Sequence, residues 1–373
     1  MNFKELGIKE NIIDILKKNG ITTPTAIQAE SIPSILKGND VIGEAQTGTG
    51  KTLAFLLPTI QNISTKNSNT QVLILSPTRE LAIQITEEAQ KLTEGTDIKL
   101  LAAYGGKDVG SQLKKLKNDI HMIVATPGRL LDHLKRKSIN LSKINTVIID
   151  EADQMLLMGF KNEITDIMSC VPKKCQTLCF SATMDSAVKK LAYRYMNDPK
   201  FIEIKEETVT VDSINQEVVE TTHRWKQDAL CSALEEDNPF MAIIFCRTKR
   251  RADELEAGLY KRKIKCEKIH SDVPQAKRER IMKSFKNADI QLLLATDVAS
   301  RGIDVSGVTH IYNYDMPESV ESYIHRIGRT GRAGEDGYTC MFTDPSNLPM
   351  LEEIEKFIGF KVKRRDLDIK KTK

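Results

Sequence analysis

Residues 45 to 52 read AQTGTGKT, a glycine-rich turn that closes on a lysine and a threonine. Glycines in such a turn let successive backbone N–H groups face one anion. The lysine brings a mobile positive charge to the terminal phosphates of a nucleotide, and the threonine hydroxyl is a ligand for Mg2+. Ala45 stands where the generic phosphate-loop pattern has its first glycine, so the order of strand-like run, loop and helix-like stretch carries as much weight as the letters. Further along, the apolar run VIID ends at Asp150, and Glu151, Ala152 and Asp153 follow. An acid delivered at the end of a buried strand holds Mg2+, commonly through water. A second acid beside it accepts a proton from the water that attacks a phosphate. Taken alone, the same letters also describe an acidic helix start favoured by the helix dipole.

Short β-branched runs, each closed by Gly, Pro, Ser, Thr or Asp and followed by a helix-length segment, must position these groups. In the first half they are 40–44, 71–75, 121–125, 146–150 and 177–180; in the second, 241–245, 265–269, 291–295, 310–314 and 338–342. Their near-continuous apolarity predicts parallel sheets covered on both faces, and their recurrence predicts two similar α/β domains in tandem. A length of 373 residues agrees, since it exceeds what one hydrophobic core usually spans. The expected boundaries are 1–206 for the first domain, 207–216 for a polar linker, 217–360 for the second domain and 361–373 for a short basic tail. The AQTGTGKT loop, Pro77 to Ala82, Thr126 to Arg129, Asp150 and Ser181 all fall at the carboxyl ends of expected strands, where open parallel sheets bind ligands.

Composition narrows the classes further. Apolar residues at 40% and charged residues at 28% are those of an ordinary globular chain, and no run is long and apolar enough for a membrane span, so a cytoplasmic protein without a membrane partner is expected. The seven cysteines include no CxxC pair and no histidine at zinc-ligand spacing, so reduced thiols and no structural metal are expected. The net charge is +4, yet residues 361–373 alone carry seven positive and two negative charges. A global basic field is therefore absent. A nucleic-acid partner would be held by local donors plus this tail, and a merely solvated tail is the alternative.

The full set of motifs resembles the DEAD-box RNA helicases of superfamily 2, from Phe3 to about residue 345. Phe3 lies upstream of GITTPTAIQ (20–28), and then come AQTGTGKT, PTRELA (77–82), Gly105 with Gly106, TPGR (126–129), DEAD (150–153) and SAT (181–183). In the second half IIFC (243–246), QAKR (275–278), ATDVASRGID (295–304) and HRIGRTGR (325–332) follow in the family's order.

This resemblance implies two tandem RecA-like domains joined by a short linker, with ATP and Mg2+ as cofactors. Implied catalytic residues are Lys51, Asp150, Glu151, Ser181, Thr183, His325, Arg329 and Arg332, with Thr52 and Asp150 toward the metal. Phe3, Gln28, Ala45, Gln46, Thr47, Gly48, Thr49, Gly50, Lys51, Thr52 and Asp304 would contact the nucleotide. The Gln28 amide, donor and acceptor together, suits an adenine edge and not a guanine. Phe3 is read equally well as an apolar staple of the N-terminus. RNA phosphates and sugars are assigned to Pro77, Thr78, Arg79, Gly105, Gly106, Thr126, Pro127, Gly128, Arg129, Arg247, Gln275, Arg278 and Thr296. Few aromatics occur among them, which fits gripping of the backbone without base readout. The implied function is ATP-dependent unwinding of short RNA duplexes or remodelling of ribonucleoproteins by a monomeric core that binds single strands and short duplexes and answers to a protein regulator. An ATP-gated RNA clamp or assembly factor is the competing expectation. A DNA translocase shares the phosphate motifs but lacks support from the residues around Gln28 and from DEAD.

Overall fold

The computed structural model describes residues 1–46, 48–106, 119–204, 214–297, 305, 307–331 and 337–368. The chain separates into two compact units, Met1–Glu206 and Glu207–Lys373. The first holds seven strands: β1 (Val41–Glu44), β2 (Val72–Leu75), β3 (Leu100–Ala103), β4 (Met122–Ala125), β5 (Thr146–Ile149), β6 (Gln176–Ser181) and β7 (Lys200–Glu203). They form one parallel sheet in the order β3-β4-β2-β5-β6-β1-β7.

Alternation along each strand divides the core between the two faces of this sheet. Val72, Ile74, Val124, Ile148 and Phe180 go to one cluster. Leu73, Leu75, Ile123, Val147, Ile149 and Cys179 go to the other. Both clusters are closed by helices, and each fully buried Leu, Ile or Val contributes about 1.5–3 kcal/mol. A glycine in β1 follows from the same packing. A Cβ on Gly43 would lie 2.5 Å from the Phe180 ring, which occupies that space and packs 5.4 Å from the ring of Phe55.

The second unit repeats the plan with β8 (Ile214–Glu220), β9 (Ala242–Phe245), β10 (Glu267–Ile269), β11 (Leu292–Ala295), β12 (His310–Asn313), β13 (Gly337–Thr343) and β14 (Lys363–Arg364). These strands too are all parallel, in the order β10-β11-β9-β12-β13-β8-β14. Position by position, the order is that of the first sheet shifted by seven strands.

Four of these strands, β3, β7, β8 and β14, are absent from the sequence expectation. β8 begins at Ile214, so the last three residues expected in the linker belong to the second sheet. The strand was hidden by its polar residues, which tertiary partners satisfy: Gln216 accepts from the Tyr323 hydroxyl at 2.6 Å and Glu217 from that of Tyr338 at 2.7 Å.

The basic tail also departs from the expectation of a solvated or RNA-anchoring segment over its described part. Lys363 and Arg364 extend the sheet beside β8. Lys361 and Arg364 pair with the buried Glu355, Lys363 pairs with Glu217, and Arg365 reaches Glu236 and Asp237, each at 2.8 Å. Val362 is 2% exposed within a core cluster. A charge count cannot distinguish this from a free tail, because the acids that receive the cations lie far away in the chain. Among the described residues, no helix is long and apolar enough to cross a membrane.

Candidate nucleotide and RNA sites

The phosphate loop leaves β1 and enters the helix Lys51–Gln61, whose N-cap Gly50 is left-handed with φ of 90°. Gly48 has the same φ, and both turns fall in the region that glycine tolerates best. Lys51 is buried, and its Nζ donates to the carbonyls of Ala45 and, at 2.9 Å, of Gln46. Its ammonium is thus held in the curl of the loop. Thr49 Oγ1 donates to Gln46 O at 2.7 Å and tightens the same turn.

Gln28 lies against this loop, not at a distance from it. It is the third residue of the helix Ala26–Leu36 and forms a reciprocal cap with Thr25, in which its Oε1 accepts the Thr25 N–H at 3.0 Å. Its Nε2 donates to Gly50 O at 3.0 Å, and a Cβ on Gly50 would sit 2.4 Å from that nitrogen. One amide thereby ties the N-terminal helix to the loop, and a primary amide has one further hydrogen and one further lone pair beyond these two bonds. Phe3 is 2% exposed and belongs to the first core cluster, a placement that favours the staple reading.

Asp150 follows β5 and is 3% exposed. Burial first, then the neighbouring Glu151, pushes its carboxyl up to about 7, against the pull of Lys51. Such a desolvated acid, with a second acid and a lysine acting on it, fits a divalent cation, which relieves both the repulsion and the lost hydration. Glu151 has φ of 50° and ψ of 54°, left-handed for a residue with a Cβ, and caps the helix Ala152–Leu157. Strain of this kind, on the order of 1–3 kcal/mol, concentrates where a side chain must be aimed.

Asp153 binds the segment Ser181–Thr183 that ends β6. Its backbone N–H donates to Ser181 Oγ at 3.2 Å, and its Oδ2 accepts from both the N–H and the hydroxyl of Thr183, each at 3.2 Å. The Ala45 N–H donates to Ser181 O at 3.1 Å, which links the same segment to the phosphate loop.

The RNA-assigned residues of this unit gather on the other half of the sheet edge. Thr78 caps the helix Arg79–Leu92 after β2 by accepting the Leu81 N–H at 3.2 Å. Thr126 and Pro127 start the helix Pro127–Lys135 after β4, and Gly105 and Gly106 follow β3 by way of Tyr104. The Arg79 guanidinium packs on Gly105, where a Cβ would be 3.0 Å from its Nη2. The strand order therefore sorts the candidate residues: β3, β4 and β2 deliver two helix N-termini and a glycine pair, which suit phosphates, while β5, β6 and β1 deliver the groups expected at the nucleotide.

The second unit keeps this division. Arg247 follows β9 and is exposed, Gln275 and Arg278 lie on the helix after β10, and Thr296 follows β11. Arg278 and Thr296 are each 7% exposed, so they line the interior of this edge more than its surface. On the next strand over, β12 leads to the helix Val320–Ile327, which carries His325, and Arg329 follows with Nε donating to His325 O at 3.2 Å. Between the two groups sits Arg326, 1% exposed, with Nε and Nη2 on the two oxygens of Asp297 at 2.6 and 2.7 Å and Nη1 on Asn313 and Asp315 O. Thr47, Asp304 and Arg332 lie outside the described residues.

The match to known proteins follows the two units of the chain. Residues 25–191 match the DEAD/DEAH box helicase family and residues 225–334 the helicase conserved C-terminal domain. The chain is 46% identical over 364 residues to the DEAD-box ATP-dependent RNA helicase CshA of Bacillus subtilis, covering 98% of this chain and 74% of that protein. The CshA of Geobacillus kaustophilus is also 46% identical, with 97% of this chain and 78% of that protein covered. This chain belongs to the DEAD-box ATP-dependent RNA helicases. Among solved structures, S. cerevisiae Dbp5 bound to RNA and ADP BeF3 matches with a TM-score of 0.91 at 30% identity, over 98% of this chain and 96% of that one. Mss116p bound to ssRNA and AMP-PNP matches with a TM-score of 0.87 at 29% identity, over 97% and 78%. The two sheets are RecA-like domains of this helicase family.

Several residues that hold the helicase site together were not legible beforehand. Asp153 reads only as the last letter of DEAD, and Asp297 and Arg326 as flanking letters of longer motifs. Asp315, 7% exposed, accepts the Arg247 N–H at 3.0 Å and pairs with Arg251 at 3.2 Å and Lys226 at 3.5 Å, which hold its carboxyl low against the burial that would raise it. An acid after an apolar run, as in HIYNYD, was the available signal.

Proposed function

We propose that this helicase uses ATP to separate short RNA duplexes or to remodel RNA–protein complexes, gripping the RNA backbone with little regard for sequence. The observation that carries the reading is the sorting of the first sheet's edge into contiguous halves, one holding the phosphate loop and the Asp150–Asp153 and Ser181–Thr183 groups, the other two helix starts and a glycine pair suited to phosphates. Lys51 and the turn Gly48–Gly50 bind the nucleotide's phosphates, and the second hydrogen and lone pair of Gln28 read adenine. Thr52 and Asp150 hold Mg2+, which supplies charge neutralisation at the phosphates when bound. Glu151 takes the proton from the attacking water, and Asp153 keeps Ser181 and Thr183 in register with that turn.

His325, Arg329 and Arg332 supply cationic and hydrogen-bonding groups from the second domain, with Asp304 toward the ribose. Hydrolysis therefore needs both domains on one nucleotide, and binding of ATP and RNA is reciprocal: whichever is bound tightens the other. Opening is local, because each step must offset about 1.4 kcal/mol of stacking, which limits one event to roughly ten pairs. The helicase works as a cytoplasmic monomer, under a protein regulator. Steady-state ATP hydrolysis with RNA, with DNA and with neither tests this. Strong stimulation by RNA alone is expected, and unstimulated or DNA-driven turnover would refute it.

A further inference from the structure

Glu44 is the last residue of β1 and stands in register between Ser181 of β6 and Glu203 of β7. Its Oε1 accepts the Met184 backbone N–H at 3.1 Å. Burial pushes this half-buried carboxyl up, the Met184 N–H opposes, and Glu203 and Asp153 add repulsion that Lys189 partly offsets. An apolar residue would end this strand at lower electrostatic cost. What the acid adds is an acceptor at one place.

Met184 directly follows Ser181–Thr183. The near end of that segment is already fastened, since the Ala45 N–H donates to Ser181 O at 3.1 Å. Glu44 and Ala45, adjoining in the chain and leading straight into the phosphate loop, thus hold both ends of the segment, while Asp153 holds Thr183 in between. We infer that Glu44 is a positioning residue for ATP turnover: by accepting the Met184 N–H it fixes Ser181–Thr183 against the phosphate-loop strand and, through Thr183 and Asp153, sets the turn that aims Glu151. The inference rests on the proposed reading of Asp150, Glu151 and Ser181–Thr183 as the hydrolytic site.

RNA-stimulated ATP turnover of the full chain tests it, with thermal unfolding and circular dichroism as controls for folding. Glu44→Ala and Glu44→Asp, which delete or retract the acceptor, are expected to lower kcat about tenfold with KM for ATP within about twofold. Glu44→Gln keeps an acceptor oxygen at the same reach and is expected to stay within about twofold of the parent in both. Adding Glu44→Ala to Thr183→Val is expected to cost little beyond Thr183→Val alone, because both loosen the same segment.

An unchanged kcat in Glu44→Ala, with or without a lower melting temperature, would overturn the role. So would equal losses in the Gln and Ala variants, or losses in Glu44→Ala and Thr183→Val that simply add. Should Glu44→Ala fail to fold, the contrast of an active Gln with an impaired Asp variant decides alone. A parent chain without RNA-stimulated turnover would instead refute the underlying site, which keeps the two failures apart.

Discussion

Replacing Asp150 by Asn removes a buried charge that the fold disfavours, and the effect is calculable. The folded chain raises this carboxyl from 3.8 to about 7 through burial and the adjoining Glu151. At about 1.36 kcal/mol per pKa unit, the ionised form costs at most about 4 kcal/mol, and relaxation with water entry brings the working figure to about 2 kcal/mol. From about pH 4 to about pH 7 the folded chain keeps a proton that the unfolded chain has released, so stability falls as pH rises through that window and levels off above it. Asp150→Asn has no such slope and retains an oxygen for the Glu151 N–H, which now donates to Asp150 Oδ1 at 3.1 Å. Amide hydrogen exchange at Val147, Ile148 and Ile149, without nucleotide or metal and corrected for intrinsic rates, reports the opening free energy of this domain. The variant is expected to match the parent near about pH 3, where the carboxyl is protonated in both states, and to exceed it by about 2 kcal/mol near pH 8. Equal opening energies at both pH values would refute the account of Asp150 as a buried, disfavoured charge.

Other outcomes follow from the same geometry. Lys51→Ala is expected to weaken ATP binding at least tenfold, whereas Glu151→Gln should still bind ATP but turn it over about 100-fold more slowly; equilibrium binding beside steady-state turnover separates them. Gly50→Ala puts a Cβ 2.4 Å from Gln28 Nε2 at a φ of 90°, so KM for ATP should rise about tenfold, as measured by steady-state kinetics. Deleting residues 361–373 strands Glu217 and Glu355, 6% and 4% exposed, without their cations and removes an edge strand. Unfolding followed by the sole tryptophan, Trp225, which starts the helix Lys226–Asp237 of the second domain, should show a loss of about 3 kcal/mol. The two carboxyls are held low by their cations, so this loss should be full above about pH 5 and shrink as acid protonates them.

The placement of the candidate groups was legible where local pattern and residue type coincide. Buried parallel strands read as apolar runs, and an acid or glycine loop at their ends announces itself, as at Asp150 and in AQTGTGKT. What holds these groups is tertiary and left no local trace: Asp153 meets Ser181 and Thr183 across about thirty residues of sequence, and Arg326 meets Asp297 across a similar distance. Polar edge strands were missed for a related reason. β8 and β14 satisfy their charges with each other and with Glu355, so neither carries the hydrophobic period that marks a strand, and the tail's cations read as solvated or free for RNA, whereas Lys361, Lys363, Arg364 and Arg365 pair within the domain.

The central claim, that ATP turnover at this site drives RNA strand separation, is tested most directly by release of a labelled strand from an RNA duplex of about ten pairs, with enzyme in excess. The parent chain is expected to release it only when ATP is present, and Lys51→Ala and Glu151→Gln not at all. Release at the same rate without ATP, or ATP consumed at full rate with the duplex intact, would contradict the account.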